Sequence, residues 1–367
     1  MKKTLLAAAL LAGFAGAAQA ETSVTLYGII DTGIGYNKVD VPDVGKSSRV
    51  GMINGVQSGS RWGLRGTEDL GDGLRAVFTL ESGFDSSNGD HAQNDRLFGR
   101  QATVGLASDA WGQLDFGRQT NIASKYFGSI DPFGLGFGQA NMGTAFSATN
   151  TFRIDNMVLY QTPSFSGFQA GVGYSFSANR QTSFRTTDNV RAITAGVRYA
   201  NGPLNVALAF DQLNAPHTLD ADAKPRQYTI GGSYDFEVVK LALAYARTED
   251  GWFQGQSVNG VSSDAGLVGA GSLQFADGFR ANSYLVGLSA PIGGASNIFA
   301  SWQMVDPKND KLMGEGDDEK MNVFSLGYTY DLSKRTNLYA YGSYAKNYGF
   351  IDDAKSTAVG VGLRHRF

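Results

Sequence analysis

The chain ends S-T-A-V-G-V-G-L-R-H-R-F, from Ser356 to Phe367. Thr357, Val359, Val361, Leu363, His365 and Phe367 share one parity, and Gly360, Gly362, Arg364 and Arg366 share the other. Side chains of a strand point alternately to opposite faces, so one face here is mostly apolar and the other small or cationic. A strand that runs to the last residue of the chain needs a neighbour. The first strand of the chain is the natural one, and that pairing closes a barrel.

The same alternation recurs along the chain. Phe168, Ala170, Val172, Tyr174 and Phe176 alternate with Gln169, Gly171, Gly173 and Ser175. Tyr228 to Phe236 and Phe324 to Tyr330 repeat the pattern. The second face is rich in Gly, Ser, Thr and Gln, as suits a wall lining water. Aromatic residues gather at strand ends, as in Tyr174/Phe176, Tyr234/Phe236 and Tyr328/Tyr330, where a membrane barrel carries its interfacial girdles. Segment counting predicts about sixteen strands. Short connections such as Glu68–Gly73, Asp109–Gly112, Asn201–Pro203 and Ser333–Arg335 alternate with long ones near 37–59, 120–151, 249–278 and 305–319. The reading is an all-β fold: a sixteen-stranded antiparallel transmembrane β-barrel with both termini on the short-turn rim.

Composition narrows the function classes. The 367 residues include 48 Gly, 23 Phe and 16 Tyr, which suits short strands and tight turns better than a helical enzyme. Cysteine is absent, which removes disulfides and thiol chemistry. The three histidines, His91, His217 and His365, lack metal-ligand spacing, so no metal or cofactor is expected. With 31 basic and 34 acidic side chains and no basic tract, nucleic acid is not an expected partner. Lys2 and Lys3, the apolar run Leu5 to Ala18 and the small residues Ala18-Gln19-Ala20 read as a secretory signal peptide over 1–20. That leaves 21–367 as a single barrel domain.

Several stretches carry a family resemblance: Ser23-V-T-L-Y-G-I-I-D31, Ser60-R-W-G-L-R-G-T-E-D-L-G-D-G73, Thr79-L-E-S-G-F84, Phe98-G-R-Q-A-T-V-G-L106, Phe116-G-R-Q119, Val158-L-Y-Q-T-P-S-F-S-G-F168 and Gly362-L-R-H-R-F367. Together they resemble the general porins of Gram-negative bacteria, specifically the beta-proteobacterial trimeric porins. The resemblance implies an outer-membrane homotrimer whose third external loop folds into the lumen. It implies passive passage of small hydrophilic solutes and ions, without cofactor or turnover. The terminal Phe367 resembles the signal read by the barrel-assembly machinery. Outer-membrane lipids and lipopolysaccharide are the implied surroundings. The alternative is a substrate-specific channel for phosphate or a sugar, with room for an aromatic slide at Tyr126, Phe127 and Phe133. An enzyme is not expected, since no nucleophile–base set is evident.

Thr120 to Thr151 is the candidate constriction loop, Gly-rich and centred on Asp131-Pro132-Phe133-Gly134. Parity directs Arg61, Arg65, Arg75, Glu81 and Arg153 to the lumen, because a charge costs roughly 2–4 kcal/mol at the lipid midplane. The expected filter sets Arg61 and Arg153 against Glu81 and Asp131, giving a transverse field and weak anion preference. Arg100 and Arg118 fall on the outward parity. Their motifs suggest pore roles, so a bulge or strand end must redirect them. Many relatives of the resembled family carry a basic residue where this chain has Leu159. The acidic cluster Glu315, Asp317, Asp318 and Glu319 reads as a solvated external loop.

Overall fold

The computed structural model describes residues 23–42, 44–178, 183–217, 219, 222–255, 273–312 and 318–367. The proposed signal peptide lies outside them, as do Glu315 and Asp317. The strands are β1 (Ser23–Val41), β2 (Gly45–Asn54), β3 (Arg61–Gly71), β4 (Leu74–Gly83), β5 (Gln101–Ser108), β6 (Gly112–Thr120), β7 (Arg153–Gln161), β8 (Phe168–Ser175) and β9 (Arg191–Asn201). They continue as β10 (Leu204–Asn214), β11 (Arg226–Asp235), β12 (Lys240–Trp252), β13 (Gln274–Pro291), β14 (Ser296–Pro307), β15 (Met321–Asp331), β16 (Thr336–Lys346) and β17 (Lys355–Arg366).

Consecutive strands pair antiparallel, and β17 returns to β1 with Ile29 opposite Arg366 and Asp40 opposite Lys355. The last residue completes the seam. Gly28 and Phe367 exchange both backbone hydrogen bonds, at 3.1 and 3.0 Å. Closure pairs the last stave with the first, which is how a sheet satisfies its backbone inside a bilayer.

The seventeen segments form sixteen staves. β2 pairs with the upper half of β1 and β3 with its lower half. Residues 55–60 leave the ladder between them, opposite only Ile30 and Asp31. The expected long connection at 37–59 is therefore corrected. Most of it is a hairpin, in which Thr32 to Val41 of β1 pair with Gly45 to Asn54 of β2. Its residues are exposed on both faces from 44 to 50, so the two-residue alternation fades there. A long connection at 84–100 replaces it, and β14 extends to Pro307.

The opposite rim has tight turns. Asp72 and Gly73 both take positive φ, 52° and 74°, between the paired residues Gly71 and Leu74, as a two-residue hairpin turn requires.

The wall is inverted relative to a soluble protein. Val24, Leu26, Ile34, Val104 and Phe116 are outward and exposed, while Thr194, Gln227, Thr248, Ser283 and Gln303 are inward and buried. Soluble monomers rarely expose a contiguous apolar surface of this kind. Among the described residues no helix is long and apolar enough to cross a membrane.

Candidate pore constriction

The connection from β6 to β7 folds inward and lines most of the wall. Asn121 caps the short helix Ile122–Phe127, accepting from the Ser124 amide and donating to Asp211 on β10 at 2.8 Å. The Ile122 amide donates to Thr194 on β9. Ile122, Ala123, Tyr126 and Phe127 are buried against the wall. Farther along, Phe133 and Phe137 pack with Phe299 of β14, and Phe137 also with Tyr339 and Tyr341 of β16. The returning limb is tied down by wall side chains. Gln303 donates to the Ala140 carbonyl, Ser283 to Ala145, and Ser356 to Gln139.

The loop tip reaches the break in the second stave. The Phe137 amide donates to the Val56 carbonyl, and Gly136 lies so close to Gln57 that a Cβ would stand 2.1 Å from its carbonyl oxygen. Residues 55–60 are themselves wrapped around Asp31. Its carboxylate accepts from the Ser58 amide at 2.6 Å and the Tyr339 hydroxyl at 2.7 Å. Overpacking of this kind costs typically ~1–3 kcal/mol. Gly136→Ala is expected to lift the tip from its latch and spread the single-channel conductance into several levels. A single level indistinguishable from the parent channel would show that the latch does not hold the loop.

The loop covers the arc from β8 round to β17, and the opposite arc, β3 to β7, carries the arginines. Arg100 donates to Glu81 at 2.7 Å, Arg61 stands 3.7 Å from the same carboxylate, and the Tyr27 hydroxyl donates to it at 3.0 Å. Arg153 lies within electrostatic reach of Arg100, Arg118, Arg61 and Glu81. Arg118 and Arg96 both bind Asp155, at 2.5 and 2.7 Å. Arg65 is exposed, with its guanidinium 5.4 Å from the Tyr27 ring centre.

The two arginines of wrong parity are redirected by the devices expected of them. Arg100 precedes the start of β5, so alternation does not bind it. Arg118 faces a register shift, where Asp155 and Asn156 of β7 bulge and Asn156 takes φ of 48°.

Two expected filter charges are placed elsewhere. Arg75 sits beside the tight turns and pairs with Asp109 at 2.7 Å, six residues along β4 from Glu81. Asp131 is 4% exposed and turned into its own loop, where it accepts from the amides of Phe133, Leu135 and Met142. Burial pushes its carboxyl up to about 6, against the pull of those donors. It joins the two limbs of the loop instead of opposing the arginines. Asp318 is likewise buried, accepting from the Leu312 amide.

The sequence reading missed Arg96, Asp155 and Tyr27. Tyr27 shares inward parity with Asp31 and could have been found, whereas Asp155 lies at the bulge. Arg96 lies outside any ladder. Leu159 is fully buried in the apolar cluster that also holds Ile122 of the loop helix.

The Gram-negative porin family profile matches residues 7–349. The chain belongs to the Gram-negative porin family. An outer membrane porin protein of Bordetella pertussis is 72% identical over the full length of both chains. Outer membrane porin protein 32 of Delftia acidovorans is 35% identical over the same extent. Among solved structures, an anion-selective porin from Comamonas acidovorans superposes with a TM-score of 0.73 at 31% identity, covering 94% of this chain and all of that one. This porin is thus an outer-membrane barrel, and its inward loop and arginine arc are features of a channel.

Proposed function

We propose that this porin is a general diffusion channel with weak anion preference, passing small hydrophilic solutes and ions without chemical turnover. The observation that carries the reading is the charge of the uncovered arc. Five guanidiniums, of Arg61, Arg96, Arg100, Arg118 and Arg153, face two carboxylates, Glu81 and Asp155. The surplus of three positive charges stands beside the lumen, where charges more than a screening length of about 8 Å away count for less. The similar anion-selective porin of Comamonas acidovorans supports the same sign.

A phosphate- or sugar-specific channel is the second reading. The aromatic residues that could form a slide, Tyr126, Phe127 and Phe133, are 1%, 0% and 3% exposed and serve to seat the loop. Planar-bilayer recordings with competing solutes separate the two. A general pore shows conductance proportional to salt and no block by millimolar phosphate or monosaccharide. Saturable block by either solute would overturn the general reading.

Residues 1–20 act in this account as a cleaved signal peptide, and the mature barrel assembles as a homotrimer through the outward faces of its early strands. Native mass measurement in mild detergent tests the assembly, and a lone monomer would count against it.

A further inference from the structure

The Asp31 carboxylate belongs to a residue that is 0% exposed. A buried charge is costly unless hydrogen bonds satisfy it, so its partners are the guide to its role. They are the Ser58 amide, in the strap of residues 55–60, and the Tyr339 hydroxyl of β16. The backbone of Asp31 holds the two ends of the same strap. Its carbonyl accepts from the Gly55 amide at 2.9 Å and from the Ser60 hydroxyl at 3.0 Å. The last two staves fasten the middle, where Arg364 donates to the Ser58 hydroxyl at 2.9 Å and Asn337 to the Gln57 side chain at 2.8 Å.

The strap touches both sides of the constriction. At its start it seats the loop tip. Val56 accepts the Phe137 amide and shares an apolar cluster with Phe133 and Phe137, and Gln57 abuts Gly136. At its end it meets the arginine arc. Arg61 Nε donates to the Gly59 carbonyl at 2.9 Å, and a Cβ on Gly59 would stand 2.8 Å from the Arg100 guanidinium. Only Ser58, held by Asp31, stands between Gln57, which seats the loop tip, and Gly59, which aims Arg61.

We infer that Asp31 is a positioning residue for ion preference, which fixes the strap so that the seat of the loop tip and the aim of Arg61 form one unit. The inference rests on the reading that the arginine arc sets the preference, and adds that aperture and preference are linked. With the strap released, Arg61 loses the Gly59 carbonyl and closes on Glu81, 3.7 Å away, so part of the positive surplus is neutralised. The loop tip loses its seat in the same event. Loss of Asp31 as an anchor therefore moves the preference toward cations. Loss of Asp31 as a mere negative charge would move it toward anions, so the two roles have opposite signs.

The test compares Asp31→Asn with Asp31→Ala in planar bilayers, reading single-channel conductance and zero-current potential together. Both variants remove the charge. Asparagine keeps an oxygen for the Ser58 amide and a polar group for Tyr339, and alanine keeps neither. Asp31→Asn should show one conductance level. Asp31→Ala should show several, with a permeability ratio about 1.5-fold further toward cations than in the Asn variant. That is somewhat under the effect of removing a unit charge about 8 Å from the ion. In an Arg61→Gln background the difference between Ala and Asn should vanish while the extra conductance levels remain, as a double-mutant cycle requires of two coupled residues. Equal ratios in the two variants would overturn the inference alone. A difference that persists in full with Arg61→Gln would also overturn it, as the mark of a merely wider pore. A ratio unmoved by Arg61→Gln by itself would overturn the reading of the arc and the inference with it. Where Asp31→Ala yields no folded barrel, Tyr339→Phe removes one hydrogen bond to the carboxylate and keeps the ring. The same linked change is expected there, and a channel identical to the parent in both readouts would overturn the inference.

Discussion

Replacing Arg61 and Arg153 together by glutamine moves the zero-current potential of this porin toward cation preference. A unit charge about 8 Å from a passing ion contributes ~0.5 kcal/mol in water, and screening over the same distance leaves roughly a third of that. Two charges act with opposite sign on anion and cation, so the permeability ratio should change by roughly threefold. Arg61 shares Glu81 with Arg100, which remains to hold the carboxylate at 2.7 Å. The wall should therefore keep its shape while the surplus of positive charge falls. An unchanged zero-current potential, with conductance and folding intact, would show that these two arginines do not set the preference.

Deleting Phe367 should lower the amount of barrel in the outer membrane by about tenfold or more, while leaving the channels that do form with normal conductance. The residue closes the seam through two backbone hydrogen bonds with Gly28, and its ring covers that glycine on the outward face. Two such bonds are worth ~1–3 kcal/mol together. The proposed assembly signal would be lost in the same deletion. Phe367 is 45% exposed on the outside and does not face the lumen. Normal outer-membrane levels, measured by quantitative immunoblotting of isolated membranes, would contradict both roles.

The staves were legible because each is wetted on one face and apolar on the other, so the two-residue period survives in the sequence. The terminal strand Lys355–Arg366 shows this best, and it pairs with β1 as its alternation implies. The upper part of the β1–β2 hairpin, within 37–59, does not read as strand from the sequence, because residues 44–50 are exposed on both faces. Without an apolar face there is no period to find. The arginine arc was half legible. Arg61 and Glu81 lie in regular ladder positions, where parity fixes direction, whereas Arg153 starts β7 on the far side of its bulge. Arg96 lies in irregular backbone, and Asp155 at a bulge, where parity alone does not show what a side chain meets.

Asp131 marks a different limit. An acid beside Pro132 in a glycine-rich loop reads equally well as a pore charge or as an acceptor for its own backbone. Only the folded path of the loop, which brings the Met142 amide to its carboxylate, separates the two. The latch at residues 55–60 was hidden for the same reason. Its meaning depends on Gly136, which lies far away in the chain and against Gln57 in space.

The most direct test of the account is the zero-current potential of the unmodified porin in a planar bilayer across a tenfold potassium chloride gradient. The surplus of guanidiniums on the uncovered arc predicts a potential of the sign set by chloride, well short of the ideal limit of about 59 mV per decade. A potential of the opposite sign, from a channel of ordinary porin conductance, would contradict it.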